Sequence, residues 1–559
     1  MKHLKWEILS KLEVTSTKFK TDDIVKIILK NRGLDTKEKQ EEFLNPPHPK
    51  DLSLEELGIS KKEIKKAIKR LKKAKENKEH VIIYGDYDAD GICATAILWE
   101  CLYNLGFDVL PYIPSRFEEG YGLNTKSVEK LKVQNSKLKL VITVDNGITA
   151  FDAVKNINKL GIDVIVTDHH IPERKNPEAC AIIQTTKISG SALAWIFARE
   201  VRKGLKNQTR RLKIDNGLDL AAIGSVTDQI PLIGPNRSFV KHGIETLRKT
   251  KRVGLLSLFE KAQINPQSIG VYAINFLIGP RINALGRLEH GLESLRLLCV
   301  KKKENAIPLA ILLNNANLER QKVLDKVYLH LKETVTLSES EHVIIAAHES
   351  YHEGVIGLAA SKLVEEFWRP AIVFSKGKKV SKASARSIPG FNIIEAIRRL
   401  DNFLLEGGGH PMAAGFSVKT ERLPEFAEKF SQVSKEMLNK DVLVRKLKID
   451  LEISFELITK KLFEKLVKFE PTGIGNPTPI FLTRKVSVKE ARVVGKDNSH
   501  LKLTLEKNQT YFDAIGFGMG ERYSELSTDR PIDIAYSIEQ DSWNGSQNLQ
   551  LRLKDFKIS

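Results

Sequence analysis

Tyr84-Gly-Asp-Tyr-Asp-Ala-Asp-Gly91 lies between two apolar runs, Val81-Ile-Ile83 before it and Ile92-Cys-Ala-Thr-Ala-Ile-Leu98 after it. The first run predicts a buried strand and the second a helix, so Asp86, Asp88 and Asp90 crowd the turn between them. Like charges that close repel, and each is pushed toward protonation unless a cation neutralises them. An all-oxygen ligand set suits a hard divalent ion such as Mg2+ or Mn2+. Two plainer readings compete. An Asp-x-Asp-x-Asp-Gly run also opens an EF-hand calcium loop, but that loop needs a preceding helix and a Glu at its twelfth position, where this chain has Ile97. The other is an N-capping turn with surplus acids, which the neighbouring segments must outweigh.

Those segments do. Strands are predicted at 80–84, 108–112, 139–144, 163–167 and 181–184, with helical patterns between most of them. Such alternation is the signature of βαβ units and a parallel sheet covered on both faces. Asp145, in Val144-Asp-Asn-Gly-Ile148, follows the third strand, and Asp168-His169-His170 follow the fourth. Open α/β sheets bind ligands at the carboxyl ends of their strands, so these groups can converge on one cleft. A single Asp or His at a strand end is ordinarily a cap or a satisfied core group. Metal-type ligands at three separate strand ends argue for a site. Asp228 follows Leu220-Ala-Ala-Ile-Gly-Ser-Val-Thr227, where a lone acid would usually be a helix-end residue. Carboxylates and imidazole in this number can hold two adjacent divalent ions, the arrangement that activates a water and stabilises in-line phosphoryl displacement. Asp168, beside the histidine pair, can orient an imidazole from behind.

At 559 residues the chain should hold roughly three to five domains. Its 42% hydrophobic and 28% charged residues are ordinary for a globular protein, but a net charge of +19 is that of a polyanion binder. With the metal-type cluster, the reaction this suggests is phosphodiester hydrolysis. Cys93, Cys101, Cys180 and Cys299 form no Cys-x-x-Cys pair and read as reduced core residues, which fits the cytoplasm. No signal-type apolar segment opens the chain and no run approaches a membrane span, so a soluble intracellular protein is expected.

Residues 1–75 read as helical and basic. In the stretch 60–74 the apolar positions 64, 67, 68, 71 and 74 share one face, and lysines and Arg70 cover the rest. That basic face is either solvated or in contact with phosphates. Residues 236–335 are helix-rich and suit a connector between two globular halves. Pro280-Arg-Ile-Asn-Ala-Leu-Gly-Arg287 interrupts it with two arginines, Arg281 and Arg287, placed to face phosphates. From about 340 the α/β pattern returns, with two segments read as loops: Ser384-Ala-Arg-Ser387, a hydroxyl and guanidinium grip for phosphate, and the glycine-rich Gly407-Gly-Gly-His-Pro-Met-Ala-Ala-Gly415. After about 445, strands predicted at 446–453, 486–494, 499–505, 510–517, 532–538 and 549–557 fit a small OB-fold barrel. Tyr511, Phe512 and Trp543 are candidates for stacking on bases of a single strand, or for the barrel core.

Gly85-Asp-Tyr-Asp-Ala-Asp-Gly91, Val144-Asp-Asn-Gly-Ile148, Thr167-Asp-His-His170 and the Asp228 segment resemble, in order, the four motifs of the DHH phosphoesterase superfamily. His352-Glu-Gly-Val-Ile-Gly357, Ser384-Ala-Arg-Ser-Ile-Pro-Gly390 and Gly408-Gly-His-Pro-Met-Ala-Ala-Gly415 resemble its companion DHHA1 domain. With Pro280-Arg-Ile-Asn-Ala284 and Gly473-Ile-Gly-Asn-Pro477 added, residues 76–559 resemble the RecJ family of bacterial exonucleases. The resemblance implies two α/β domains, DHH at 76–235 and DHHA1 at 336–440, joined by the helical connector and followed by the OB-fold at 441–559. It implies a 5′-to-3′ exonuclease specific for single-stranded DNA, releasing 5′-mononucleotides in repair and recombination with Mn2+ or Mg2+, two ions per site. Asp86, Asp88, Asp90, Asp145, His169 and Asp228 would supply the metal site, with Asp88, Asp145, His169 and His170 catalytic and His170 facing the scissile phosphate. Arg116, Arg281, Ser384 and Arg386 would hold the 5′-phosphate, and His410 the DHHA1 side of the cleft. A monomer is implied, with a single-strand-binding protein and a RecQ-type helicase as partners.

The chain departs from the family pattern at Gln184-Thr185, at Ser189-Gly-Ser-Ala-Leu-Ala194 and at Ser225-Val-Thr-Asp228. None of these removes a ligand, but the first two bear on substrate shape or rate. Two alternatives remain: a phosphodiesterase for short oligoribonucleotides or cyclic dinucleotides, whose members lack the barrel, and a silent DNA-binding scaffold, whose members would have lost ligands.

Overall fold

The computed structural model describes residues 4–10, 13–14, 19–116, 118–173, 175–205, 217–288, 291–335, 342–541 and 548–559. They form two compact units: Pro47–Leu443, and Met1–Pro46 with Val444–Ser559.

The larger unit begins with a five-stranded, wholly parallel sheet in the order Val109–Tyr112, His80–Tyr84, Leu138–Val144, Asp163–Asp168, Ala181–Gln184. Its strands read as continuous apolar runs because both faces are covered. Alternate side chains serve separate cores: Val81 and Ile83 enter one, Ile82 and Tyr84 the other. The helix after the first strand, Ala89–Asn104, is apolar on nearly every side and is buried against the helices Gly190–Gly204 and Leu218–Thr227. Helix Lys61–Glu76 buries Ile64, Ala67, Leu71 and Ala74, the face read from its periodicity, while its lysines point outward. Cys93 and Cys101 are buried free thiols, and Cys180 and Cys299 are free and partly buried.

The connector ends in the helix Lys303–Thr334, 32 residues and about 48 Å long at 1.5 Å per residue. Ala310 and Leu313 are buried in the core of the first sheet domain, whereas Leu324, Val327 and Leu331 pack with Ile344, Val355 and Ala359 of the second. One continuous helix thus belongs to both cores. The second sheet has the order Leu404–His410, Ala413–Lys419, Val380–Arg386, Ala371–Ser375, Ile344–His348; the last two strands run parallel and the others antiparallel. Here the sequence reading needs correcting. Ser384–Arg386 and Gly407–His410 are strands, not loops. The glycines pair across the ladder, Gly408 opposite Gly415, so their small size serves a bare sheet face rather than a turn.

In the smaller unit five strands close a barrel: Phe481–Val494, His500–Lys507, Thr510–Gly516, Leu549–Ile558 and Ile532–Gln540 in spatial order, the first pairing with both the second and the last. Residues 1–75 are not one helical segment. Lys5–Ile8 is a strand paired in parallel with Lys446–Ile449, and Thr21–Asn31 places Ile24, Ile28 and Leu29 in the barrel's core. Arg32 closes this junction, donating to Asn476 Oδ1 at 3.1 Å and the Pro477 carbonyl at 2.7 Å. The Gly473–Pro477 motif is therefore a docking point for the N-terminal helix. Phe512 packs edge-on against Phe455 beside the barrel core, so of the three aromatic candidates only Tyr511 is seen exposed. Trp543 lies outside the described residues.

Candidate active site

The carboxyl ends of three neighbouring strands bring the acids together. Asp86, Asp88 and Asp145 have ligand atoms within 4.8 Å of one another, as do Asp90, His169 and Asp228, and as do Asp145, His169 and His170. The shared members Asp145 and His169 knit the three groups into one cluster. Asp88 is also the N-cap of the helix Ala89–Asn104, accepting from Gly91 N at 2.9 Å, so the capping reading of this turn is true as well. Asp145 sits in the left-handed region at φ 63°, unusual for a non-glycine residue, with its N–H given to the Thr167 carbonyl at 3.1 Å. His169 Nε2 lies 3.0 Å from Asp145 Oδ1 and 3.6 Å from Asp228 Oδ2.

The helix starting at Gly190 holds the cluster from one side. Its first amides donate to Asp90, Gly190 N at 2.7 Å and Ser191 N at 3.0 Å. A Cβ on Gly190 would stand 2.4 Å from Asp145 Oδ1, and one on Gly224 would stand 2.2 Å from Asp90 Oδ1. The departure Ser189-Gly-Ser191 thus keeps the one glycine the site needs, and Ser189 caps the helix by accepting from Ala192 N. Gln184, the other departure, donates to the His170 carbonyl at 3.0 Å, and Thr185 donates to the Leu57 carbonyl at 2.5 Å.

Electrostatics identify what the cluster is for. Burial, followed by the charge of neighbouring aspartates, pushes the carboxyls of Asp86, Asp88, Asp145 and Asp228 upward. Asp86 Oδ1 is buried without a hydrogen bond, and Asp145 Oδ1 has only the His169 imidazole beside it. Buried, mutually repelling oxygens so poorly supplied with donors fit hard divalent cations. Asp168 differs. Burial opposes its ionisation, but hydrogen bonds from His170 and from Ile148 N, at 2.9 Å, hold it below the ordinary carboxylate range. It stands behind the cluster and orients His170 from there.

Beside the cluster is a cavity of about 360 Å3 between the two sheet domains, lined among others by Tyr87, Arg116, Arg287, Ser384 and Arg386. Arg116 stacks over the Tyr87 ring at 5.5 Å, Arg287 donates to the Gly354 carbonyl at 3.3 Å, and Arg386 to Ser384 Oγ at 3.2 Å and the Ala385 carbonyl at 2.8 Å. No carboxylate forms an ion pair with any of the three among the described residues. Burial, then the nearby cations Arg116, Arg320 and Arg386, pushes the Arg287 guanidinium down to about 10. Guanidinium groups gathered with no carboxylate paired to them suit an anion. His410 faces the histidine pair from the second domain, its ring stacked 6.3 Å from that of His170. Burial, with the two histidines, lowers its pKa.

The structure brings Arg116, Ser384, Arg386 and His410 to the cleft as the resemblance implies, but not Arg281. That side chain turns away, donating to the Leu277 carbonyl at 2.7 Å and Asn314 Oδ1 at 3.1 Å. The two arginines sit six positions apart on the helix Gly279–Leu288 and so face different sides, and Arg287 is the one lining the cavity. Tyr121, whose hydroxyl lies 3.4 Å from His170 Nε2, also lines it and is a site residue that the motifs do not mark. Its place in Gly120-Tyr-Gly122, between glycines at φ 79° and 81°, was the available signal.

Family models match the chain in three places: a DHH family N-terminal domain at 80–225, a DHHA1 domain at 340–436 and a RecJ OB domain at 449–555. The chain is 32% identical over 575 residues to the single-stranded-DNA-specific exonuclease RecJ of Bacillus subtilis, covering all of this chain and 71% of that one. It is 31% identical to the Escherichia coli protein of that name, over 87% of this chain and 89% of that one. The crystal structure of Thermus thermophilus RecJ in complex with Mn2+ matches with a TM-score of 0.82 at 26% identity, covering all of this chain and 80% of that one. A Mg2+ complex of the same protein matches with a TM-score of 0.77. The chain belongs to the RecJ family of DHH phosphoesterases.

Proposed function

We propose that the chain is a metal-dependent exonuclease that hydrolyses single-stranded DNA from the 5′ end to 5′-mononucleotides, acting in repair and recombination. The observation that carries this reading is adjacency. Tyr87 lies between Asp86 and Asp88 of the carboxylate cluster in sequence, and its side chain lines the arginine cavity. An anion held by Arg116, Arg287, Ser384 and Arg386 is therefore presented beside the hydrolytic groups.

Two Mn2+ or Mg2+ ions, held by Asp86, Asp88, Asp90, Asp145, His169 and Asp228, would supply the activated water and neutralise charge at the scissile phosphate. The remaining work belongs to the chain. Asp168 keeps the proton of His170 on Nδ1, 2.7 Å from its own Oδ1, which turns Nε2 toward Tyr121 and the cleft. His170 can then meet a phosphate oxygen there, and His410 closes the opposite side. Release of a 5′-mononucleotide breaks the phosphorus–O3′ bond and leaves a 5′-phosphate on the shortened strand, so the cavity can be reloaded each cycle. Arg281 would act indirectly, by holding the connector helix that carries Arg287.

We further propose residues 76–235 as the catalytic domain, 236–335 as its connector, 336–440 as the second wall of the cleft and 441–559 as the strand-binding barrel. The exposed ring of Tyr511 supports base stacking there. A monomer in the cytoplasm, meeting a single-strand-binding protein and a RecQ-type helicase, is proposed from the family resemblance. Among the described residues no helix is long and apolar enough to cross a membrane.

The test is digestion of a 5′-phosphorylated single strand with Mn2+, beside the same strand annealed as blunt duplex and an Asp145→Ala protein. Loss of the single strand alone, absent in the variant, is expected. Tight binding without cleavage under every divalent ion would contradict the reading and favour a scaffold.

A further inference from the structure

The sheet floor of the cavity is organised in rows. Register places Arg386 opposite Ala413 and Ala413 opposite His410; two residues along, Ser384 faces Gly415 and Gly415 faces Gly408; two further, Lys382 faces Ser417 and Ser417 faces Glu406. Alternate residues of a strand share a face, so the three rows present to one side at a spacing of about 6.6 Å. The first row adjoins His170 through His410. The second carries only a serine and two glycines, leaving a bare trough. The third is different in charge. Lys382 is paired with Glu353 at 2.7 Å, and Glu406 accepts from Ser417 Oγ at 2.7 Å. Glu353, Glu406, Lys382 and Ser417 all line the cavity, whose lining on these strands ends at this row.

We infer that this third row limits the cavity to a single 5′-phosphate and rejects strands whose 5′ end carries a triphosphate. The inference rests on the functional reading above, in which the arginines hold the 5′-phosphate. A phosphate at the first two rows is surrounded by cations. A chain of further phosphates has to run along the trough toward a row about 13 Å from the first, where two carboxylates face one lysine already paired with one of them. The negative end of the cavity repels the added charge at short range, where water screens little. The row thus separates strand ends that carry one phosphate, as nuclease cleavage leaves them, from ends that carry three.

The experiment uses the full-length protein and one single-stranded sequence made with a 5′-monophosphate or a 5′-triphosphate, labelled at the 3′ end, in excess Mn2+. The wild type should favour the monophosphate by about tenfold or more in kcat/KM. The Glu353→Gln/Glu406→Gln protein should narrow that ratio, and Lys382→Glu should widen it. Equal rates on the two strands in the wild type, or a ratio unmoved by both variants, would overturn the inference while leaving the exonuclease reading intact. Failure of the wild type to digest even the monophosphate strand would overturn both.

Discussion

Asp168 Oδ1 lies 2.7 Å from Nδ1 of His170, while Oδ2 of the same carboxylate accepts from Ile148 N at 2.9 Å. The carboxylate is thereby fixed to the loop that carries Asp145 and also to the imidazole next to the cluster. Itself buried, it fixes the ring's tautomer and direction from behind. Asp168→Asn should lower kcat by about 10–100-fold, with single-strand affinity changed less than threefold. Steady-state kinetics beside a binding titration check this. A loss confined to KM would contradict the positioning role.

The close approach of Gly190 to Asp145 gives a second prediction. Alanine there sets a methyl carbon 2.4 Å from Asp145 Oδ1, so the carboxylate must move. A displacement of about 1 Å at a catalytic group costs about 100-fold in rate. Gly190→Ala should therefore need far more Mn2+ for half-maximal activity while keeping its circular dichroism spectrum. Unchanged Mn2+ dependence would show that the helix start can shift away.

The two connector arginines should separate cleanly. Arg287→Met removes a guanidinium from the anion cavity, and loss of a charged hydrogen-bond partner costs about 1.5–3 kcal/mol, roughly 10–150-fold in kcat/KM for a 5′-phosphorylated strand. Arg281→Met, which breaks contacts to Leu277 and Asn314, should act mainly on melting temperature. Equal kinetic losses from both would contradict the assignment.

The raised carboxyls of Asp86, Asp145 and Asp228 make the metal-free protein pH-sensitive in a definite direction. Their folded values exceed the unfolded value of about 3.9, so the folded state binds more protons. Their stabilising contribution is complete below the unfolded value and is lost as pH rises through the folded ones. In EDTA the melting temperature should fall as pH rises above the unfolded carboxylate value of about 4, and Mn2+ should raise it more at the upper end of that range than at the lower. Asp86→Asn should flatten the EDTA profile and weaken the Mn2+ response. A pH-independent melting temperature in EDTA would contradict this account of the cluster.

Much of this architecture is legible in the chain, and what is not has identifiable reasons. The five apolar runs from Val81 to Ile183 announce strands because a doubly covered parallel sheet demands them, and every ligand but Asp228, which ends a helix, stands just after three of those runs. The strand Lys5–Ile8 is invisible because its partner, Lys446–Ile449, lies some 440 residues away. Gly407–His410 reads as a loop because glycine usually marks one, yet here it bares a sheet face opposite Gly415. Gly190 and Gly224 gain their meaning only from contacts with Asp145 and Asp90, side chains of other elements. The side of the helix on which Arg281 and Arg287 fall depends on where the neighbouring domain packs, which periodicity alone does not reveal.

The central claim is that the strand's 5′ end is seated in the arginine cavity and the adjacent phosphodiester is hydrolysed. It is tested most directly by following one 5′-phosphorylated single strand with the label at its 5′ end and, separately, at its 3′ end. The account predicts that the 5′ label appears at once as a mononucleotide, while the 3′ label passes through a descending ladder. Mononucleotide appearing first from the 3′ label, or internal fragments from both, would contradict it.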